Sequence, residues 1–501
     1  MWRRSESDSV HSQSRVQACA RESSGMALTL AQDNSDAPSQ PTERTPPATL
    51  LSGRTTSAYP NRSRSIPLEK FVIEGGVPLS GTITPAGNKN GALPIIAACL
   101  LTDEEVVLNN VPRISDVEAM LELIALLGAR VEWTGPGEIR IDASDVSSTA
   151  VDVALAERIR ASFLLAGPLL ARFGSASMPP PGGDVIGRRR LDPHIDAFRA
   201  LGAKVRNERT EILLEAPALG LRPCDFLMDE PSVMATENAL MAAALTRGTT
   251  VIRNAASEPH VQDLARMLLA MGAPIDGIGS NVITVHGQAS LRGCTHTIAP
   301  DHIEIGSFMA LAGVTGGELI VQDTRPDDLR MIRLVFGRLG LRTEKRGNDI
   351  IVPGNQELRV QNDQGDHIPK VQDGPWPAFP ADLTSIALAL ATQAEGSVLI
   401  HEWMFENRLY FCDKLVGMGA SIMICDPHRA IVNGRRPLHA SRVESPDIRA
   451  GMAMLMAALC AEGVTEIGNI RQNDRGYERI DERLRQLGAR IARTEDAPVN
   501  A

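Results

Sequence analysis

Six times along the chain an amphipathic helical pattern runs into Leu or Met, then Gly, then Ala or Leu, and passes into an alternating strand-like stretch. The copies are Leu127-Gly128-Ala129, Leu201-Gly202-Ala203, Met271-Gly272-Ala273, Leu339-Gly340-Leu341, Met418-Gly419-Ala420 and Leu487-Gly488-Ala489. The glycines are 74, 70, 68, 79 and 69 residues apart, a period that marks duplication of one supersecondary unit. Gly just past a helix takes the left-handed conformation without a Cβ penalty, so each copy predicts a helix end. Each unit also holds a second helix, apolar on nearly every face. Ala239-Leu240-Met241-Ala242-Ala243-Ala244-Leu245 is one, and Met452-Ala453-Met454-Leu455-Met456-Ala457-Ala458-Leu459 is another. Gly174, Gly248, Gly317, Gly396 and Gly463 mark the turns after five of these, and Asp103-Glu104 the turn after the first. A helix apolar all round is buried, whereas one with a single apolar stripe lies on a surface. The pattern therefore predicts an inside-out α/β fold of six units of about 70 residues, arranged as two lobes of three with a cleft between them. Ser115-Asp116-Val117-Glu118 reads as a capping box opening one outer helix.

The first 67 residues break this pattern. They are rich in Ser, Thr, Pro, Gln and Arg, and cannot bury enough apolar surface to offset the entropy of ordering, so a disordered extension is expected there. Met1-Trp2-Arg3-Arg4 is basic, but no apolar run follows it to make a secretory signal, and Met26 is an alternative start. Strand-like alternation begins at Leu68-Glu69-Lys70-Phe71-Val72-Ile73.

Composition narrows the function. The 501 residues carry 51 basic and 61 acidic side chains, a formal charge of −10, which argues against a general nucleic-acid binder. No stretch of 18 apolar residues exists to span a membrane. The seven cysteines are scattered without a C-x-x-C pair, so neither a disulfide framework nor a zinc cluster is expected, and a reducing cytoplasm fits best.

Candidate chemistry lies at the mouths of the buried helices. Gly87-Asn88-Lys89-Asn90-Gly91 precedes the first, and Lys with backbone N–H groups there suits an anion. Arg160 opens the second, Asp382 the fifth and Asp447-Ile448-Arg449 the sixth, so charges repeat at one end of each unit and converge on one cleft. Pro179 to His194 is a Pro- and Gly-rich loop in which Asp184 sits among glycines and Arg188-Arg189-Arg190 follows. Its residue types fit an anion-binding loop and a solvated turn with a charge run equally well. Asp474-Arg475-Gly476-Tyr477-Glu478 precedes the last outer helix, where Asp474 also suits an N-cap.

Taken together, these segments resemble the enolpyruvyl transferases that act on UDP-N-acetylglucosamine. The resemblance covers about residues 68–495. It is carried by Gly87 to Pro94, Arg160-Ala161-Ser162, Pro181-Gly182-Gly183, Pro231 to Asn238, Phe379-Pro380-Ala381-Asp382, Phe405-Glu406-Asn407-Arg408, Asp447-Ile448-Arg449 and Asp474 to Glu478. It implies the enolpyruvyl transferase fold, with one lobe over 89–298 carrying a mobile loop at 179–194, a second over 68–88 and 299–495, and a tail over 496–501. It implies transfer of the enolpyruvyl group of phosphoenolpyruvate to the sugar 3-hydroxyl with release of phosphate, the first committed step of peptidoglycan synthesis. It further implies cytoplasmic location, no metal or other cofactor, and no nucleic-acid, membrane or obligate protein partner.

Residue by residue, the resemblance places Lys89, Asn90, Arg189, Arg408, Arg449 and Arg475 on phosphoenolpyruvate. It places Arg160, Arg189, Arg190, Leu191, Asp192, Pro193, Glu230, Pro231, Ser232, Val233, Asp382 and Met404 on the nucleotide sugar. Asp382 is the candidate base beside the 3-hydroxyl, Asp447 a second carboxylate, and Asp184 the loop acid, with Lys89 and Arg475 also in the catalytic set. The sequence departs from the commoner pattern at Arg190, Pro193, Glu230 and Met234, and at Asp184, where a cysteine is usual. Fosfomycin alkylates that cysteine, and a carboxylate is a weaker nucleophile, so insensitivity to fosfomycin is expected. The mechanism needs an acid near C3 of phosphoenolpyruvate and a base near the hydroxyl. Other readings are an enolpyruvyl transferase with another acceptor, and a silent paralogue that binds the UDP-sugar.

Overall fold

The computed structural model describes residues 69–495. The extension expected over 1–67 and the tail over 496–501 lie outside the described residues. The apolar side chains form two cores, one drawn from residues 92–298 and the other from 71–83 together with 303–491. Six sheets surround them. Five have four strands in one order: a short edge strand parallel to its neighbour, then two antiparallel strands. In the first unit this runs Thr295–Thr297, Val106–Asn109, Glu138–Asp142, Arg130–Gly135. In the sixth it runs Arg442–Glu444, Val464–Gly468, Glu69–Glu74, Arg490–Glu495, so both ends of the described chain meet in one sheet. The second unit has three strands, and a lone parallel bridge between Ala150 and Ser177 replaces its edge strand.

The repeat glycines close the outer helices as expected. All six have φ between +90° and +115°. In each copy the residue after Gly donates its N–H to a carbonyl five residues back, as Ala129 does to Ile124 and Ala489 to Leu484, the 6→1 bond of a Schellman turn. The second glycine set is mixed. Gly174 is a left-handed cap after Ala166–Phe173, but Gly316, not Gly317, caps His302–Thr315. Gly248 and Gly396 begin the strands Gly248–Arg253 and Gly396–His401, and Gly463 precedes Val464–Gly468. They mark strand entry rather than helix exit.

The interior helices are Lys89–Ala98, Ala166–Phe173, Val233–Ala244, His302–Thr315, Thr384–Thr392 and Ile448–Cys460. The second and fifth are entered through 3-10 turns, Arg160–Leu165 and Ala381–Leu383. Residues at the start of all six segments line one cleft of about 490 Å³. Three starts are capped by side chains. Asn88 accepts from Gly91, Asp301 from Ile303 and Glu304, and Asp447 from Arg449 and Ala450.

Two local expectations fail. Ser115 is already the first helical residue of Ser115–Leu126, with Ile114 at the N-cap and no side-chain capping bond; Asp116 turns instead toward two cations. Asp474 caps nothing and pairs with Arg493 at 2.7 Å.

The repeat glycines differ in what surrounds them. A Cβ on Gly340 would lie 2.2 Å from the backbone nitrogen of Arg359, whereas one on Gly272 meets nothing within 4 Å. Gly272→Ala is expected to cost about 1 kcal/mol through conformation alone. Gly340→Ala should cost at least ~2 kcal/mol more, because backbone must move. Urea unfolding of the two variants measures the difference; equal losses would show that the close approach is relieved at no cost.

Candidate active site

The cleft gathers cations that carboxylates hold in place. Lys89 Nζ lies 2.9 Å from Asp116 Oδ2, and Arg475 Nε lies 2.9 Å from Asp116 Oδ1. Arg475 reaches on through Nη1 to the carboxylate of Asp184 and to Gln472. Across the cleft Asp382 takes Arg408 Nη2 at 3.1 Å on one oxygen. Its other oxygen takes Arg449 Nη2 at 3.0 Å and Asn90 Nδ2 at 3.3 Å. Burial disfavours charge on Asp382, but Arg449 and Arg408 overcome it and hold the carboxyl far below the usual carboxylate range. The same balance, through Lys89 and Arg475, keeps Asp116 below it. Arg449 is braced by the Tyr477 ring, 5.4 Å from its guanidinium carbon.

The Pro- and Gly-rich loop lies against the turn that follows Gly396–His401. The Asn407 N–H donates to Ile186 O at 3.1 Å, and Glu406 accepts the Arg188 N–H at 3.3 Å. Close packing explains the glycines, since a Cβ on Gly182 would lie 1.7 Å from Glu157 O. Within the loop Arg189 Nη2 donates to Asp184 O at 2.7 Å, and Arg160 Nη2 donates to Arg189 O at 2.7 Å. Burial lowers Arg160 to about 10, with Arg189 adding to the effect. The loop ends earlier than expected, because Asp192-Pro193-His194 is the first turn of the helix Asp192–Ala200. At the rim Arg190 meets Asp229 at 2.7 Å and Glu230 at 3.5 Å, so Glu230 has an intramolecular partner there.

Of the residues singled out from sequence, the charged and polar Lys89, Asn90, Arg160, Asp184, Arg189, Arg190, Glu230, Asp382, Arg408, Asp447, Arg449 and Arg475 all line the cleft. So do Pro231, Ser232, Val233 and Met404. Leu191, Asp192 and Pro193 are not among its lining residues. Asp447 uses Oδ1 to cap its helix through the Arg449 and Ala450 N–H groups. Sequence reasoning missed Asp116, which lay between the capping residues of the pattern Ser115-Asp116-Val117-Glu118. It also missed Glu237, Glu258, His260 and His302, which line the wall beside Trp376. Burial lowers His260 to about 3 and His302 to about 4, so both imidazoles are neutral at pH 7. Their only sequence signal was polarity inside or beside apolar helices.

Comparison with known proteins agrees with this architecture. A family profile described as EPSP synthase (3-phosphoshikimate 1-carboxyvinyltransferase) matches residues 73–484. The chain is 55% identical over 428 residues to a UDP-N-acetylglucosamine 1-carboxyvinyltransferase of Bradyrhizobium diazoefficiens, covering 85% of this chain and 98% of that protein. It is 52% identical over 421 residues to the protein of that name from Treponema pallidum, covering 84% and 98%. The solved enolpyruvyl transferase NikO from Streptomyces tendae superposes with a TM-score of 0.76 at 24% identity, covering 86% of this chain and 100% of that one. An EPSP synthase from Acinetobacter baumannii gives 0.65 at 18%, covering 85% and 100%. These two likenesses show the fold, a two-lobed α/β arrangement.

Asp116 generates a test that needs no substrate. Asp116→Asn leaves the buried Lys89 and the part-buried Arg475 without their shared counter-charge, which should cost about 3 kcal/mol at pH 7. A carboxyl held below its ordinary value stabilises above that value and ceases to as pH falls through the folded one, so the gap should close in acid. Inorganic phosphate should raise the melting temperature of the variant more than that of the parent. A variant as stable as the parent at pH 7 would show that Asp116 does not bind the two cations together.

Proposed function

The chain belongs to the UDP-N-acetylglucosamine 1-carboxyvinyltransferases, and we infer how its own cleft carries out their reaction. The enolpyruvyl group of phosphoenolpyruvate is transferred to the 3-hydroxyl of UDP-N-acetylglucosamine and phosphate is released, as peptidoglycan synthesis requires. The observation that carries the assignment of roles is the set of cations in the cleft, each already holding a carboxylate that an incoming anion can replace. Lys89 and Arg475 on Asp116, and Arg408 and Arg449 on Asp382, form two anion-binding pairs. The phosphate and carboxylate of phosphoenolpyruvate take these cations, with Asn90 and Arg189 beside them.

Asp382 then gains basicity. Held by two guanidinium groups it accepts a proton poorly; as those groups turn to substrate anions its proton affinity rises. It takes the 3-hydroxyl proton as the sugar oxygen bonds to C2, while Asp184, protonated, donates to C3. The tetrahedral adduct collapses when the C2–O bond to phosphate breaks and a proton leaves C3. The cations stabilise phosphate charge throughout. Asp447 lies beside them as a second carboxylate. The nucleotide occupies the side formed by Arg160, Arg189, Arg190 and Glu230 to Val233, with Met404 against the sugar and Leu191, Asp192 and Pro193 behind the loop. The lobes run over 89–298 and over 69–88 with 299–495, a division that the two separate cores support. A cytoplasmic setting suits both substrates.

Phosphate release from phosphoenolpyruvate, measured with and without UDP-N-acetylglucosamine, tests the reaction; release only with both substrates is expected. Fosfomycin tests the loop acid. The parent should resist time-dependent inactivation, since a carboxylate attacks an epoxide far more slowly than a thiolate. Asp184→Cys should become sensitive and stay active, because a thiol also donates a proton. Rapid covalent inactivation of the parent would remove Asp184 from this role.

A further inference from the structure

Glu402 follows the strand Gly396–His401 and is wholly out of solvent. Its Oε1 accepts the Phe405 N–H at 3.2 Å. Its Oε2 has no hydrogen-bond partner, nor has Nε of Arg408, and the two lie 3.7 Å apart. The far end of the same guanidinium, Nη2, holds Asp382 at 3.1 Å. Arg408 therefore grips one carboxyl group and only approaches another. The remaining groups facing Glu402 are Asp373, Thr384 and His428. Asp373 accepts the N–H groups of Trp403 and Met404, and His428 Nδ1 lies 2.7 Å from the Glu402 carbonyl oxygen. Burial pushes the Glu402 carboxyl up to about 8, with Arg408 opposing and Asp373 adding to the rise, so it is protonated at neutral pH.

We propose that Glu402 is a positioning residue that acts through Arg408: neutral, it leaves the guanidinium to Asp382 and the substrate anion, and ionised, it draws Nε inward and takes the guanidinium from them. A buried carboxylate facing an unpartnered guanidinium N–H at 3.7 Å gains a charge-assisted hydrogen bond by closing the gap, one stronger than the neighbouring Thr384 hydroxyl could supply. The shift would also be felt by the loop. Glu402 and Arg408 bracket a single turn, and Glu406 in that turn holds the Arg188 N–H. The proposal rests on Arg408 being a phosphoenolpyruvate contact.

The test is the KM for phosphoenolpyruvate from pH 7 to 9, with the KM for UDP-N-acetylglucosamine as control. In the parent the first should rise roughly tenfold as Glu402 ionises, and the second should stay level. Glu402→Gln is neutral at every pH and nearly the same shape. It should match the parent at pH 7 and keep its KM within about twofold up to pH 9. An alkaline rise in the variant equal to that of the parent overturns the proposal, and so does a flat parent profile, which needs no variant to fold. Arg408→Ala separates the two readings. If it leaves the KM for phosphoenolpyruvate unchanged, the role of Arg408 fails and Glu402 with it. If it raises that KM while Glu402→Gln keeps the alkaline rise, the Glu402 proposal alone fails.

Discussion

Positive charge crowded into one cleft is the constraint on which the rest of this structure depends. The starts of six buried helical segments meet there, each bringing the positive end of its dipole. Lys89, Arg189, Arg408, Arg449 and Arg475 add full charges. Two unit charges 4 Å apart in a protein surface interact by about 4 kcal/mol, so a few such repulsions would match the stability of a whole domain. The chain answers with carboxylates inside the cluster. Asp116 serves two cations, Asp382 two more, and Asp184 one that Asp116 already holds. A substrate carrying phosphate and carboxylate groups can substitute for these internal anions, so the cleft holds in its own carboxylates the pattern of charge that such a substrate would supply.

The sixfold repeat was legible because its marker is a backbone requirement. A helix that ends in a Schellman turn needs a residue at positive φ, and glycine meets that need in all six copies. The interior helices were legible for the opposite reason: they carry almost no polarity, so the few charges at their mouths stood out. Asp382, Arg449 and Lys89 were found that way. Asp116 was hidden inside a capping-box pattern, where an acidic residue in a first helical turn is already accounted for by the helix dipole. Glu402 was hidden because it lies between a strand and an irregular turn, where a charged residue is normally solvated. The bridge that replaces an edge strand in the second unit had no local signal, since its register depends on tertiary contact.

The turn from Glu402 to Arg408 shows why a few residues can join distant parts of the chain. Two of its N–H groups are fixed by Asp373 and a third by Glu402. Its Arg408 reaches the candidate base, its Met404 lines the cleft, and its Asn407 and Glu406 bind the backbone of the loop. Loop position and the environment of Asp382 are thus set by one rigid stretch. A loop alone would have to lose its own conformational entropy on closing; here Ile186 and Arg188 of the loop are already paired with Asn407 and Glu406 of the turn.

In the proposed mechanism, aspartate at position 184 changes more than the identity of the proton donor. A thiol at this place would give Arg475 no strong partner, whereas the carboxylate binds it directly while Asp116 holds the same guanidinium from the other side. The loop is therefore tied to the second core through Arg475, the charge proposed to meet the substrate. Binding an anion at Arg475 and protonating Asp184 act in the same direction, since each removes the attraction between them. In that mechanism, an acid that must be protonated to react is released by the same event that brings in its substrate, and the ion pair with Arg475 and the proton transfer become alternative uses of a single carboxyl group.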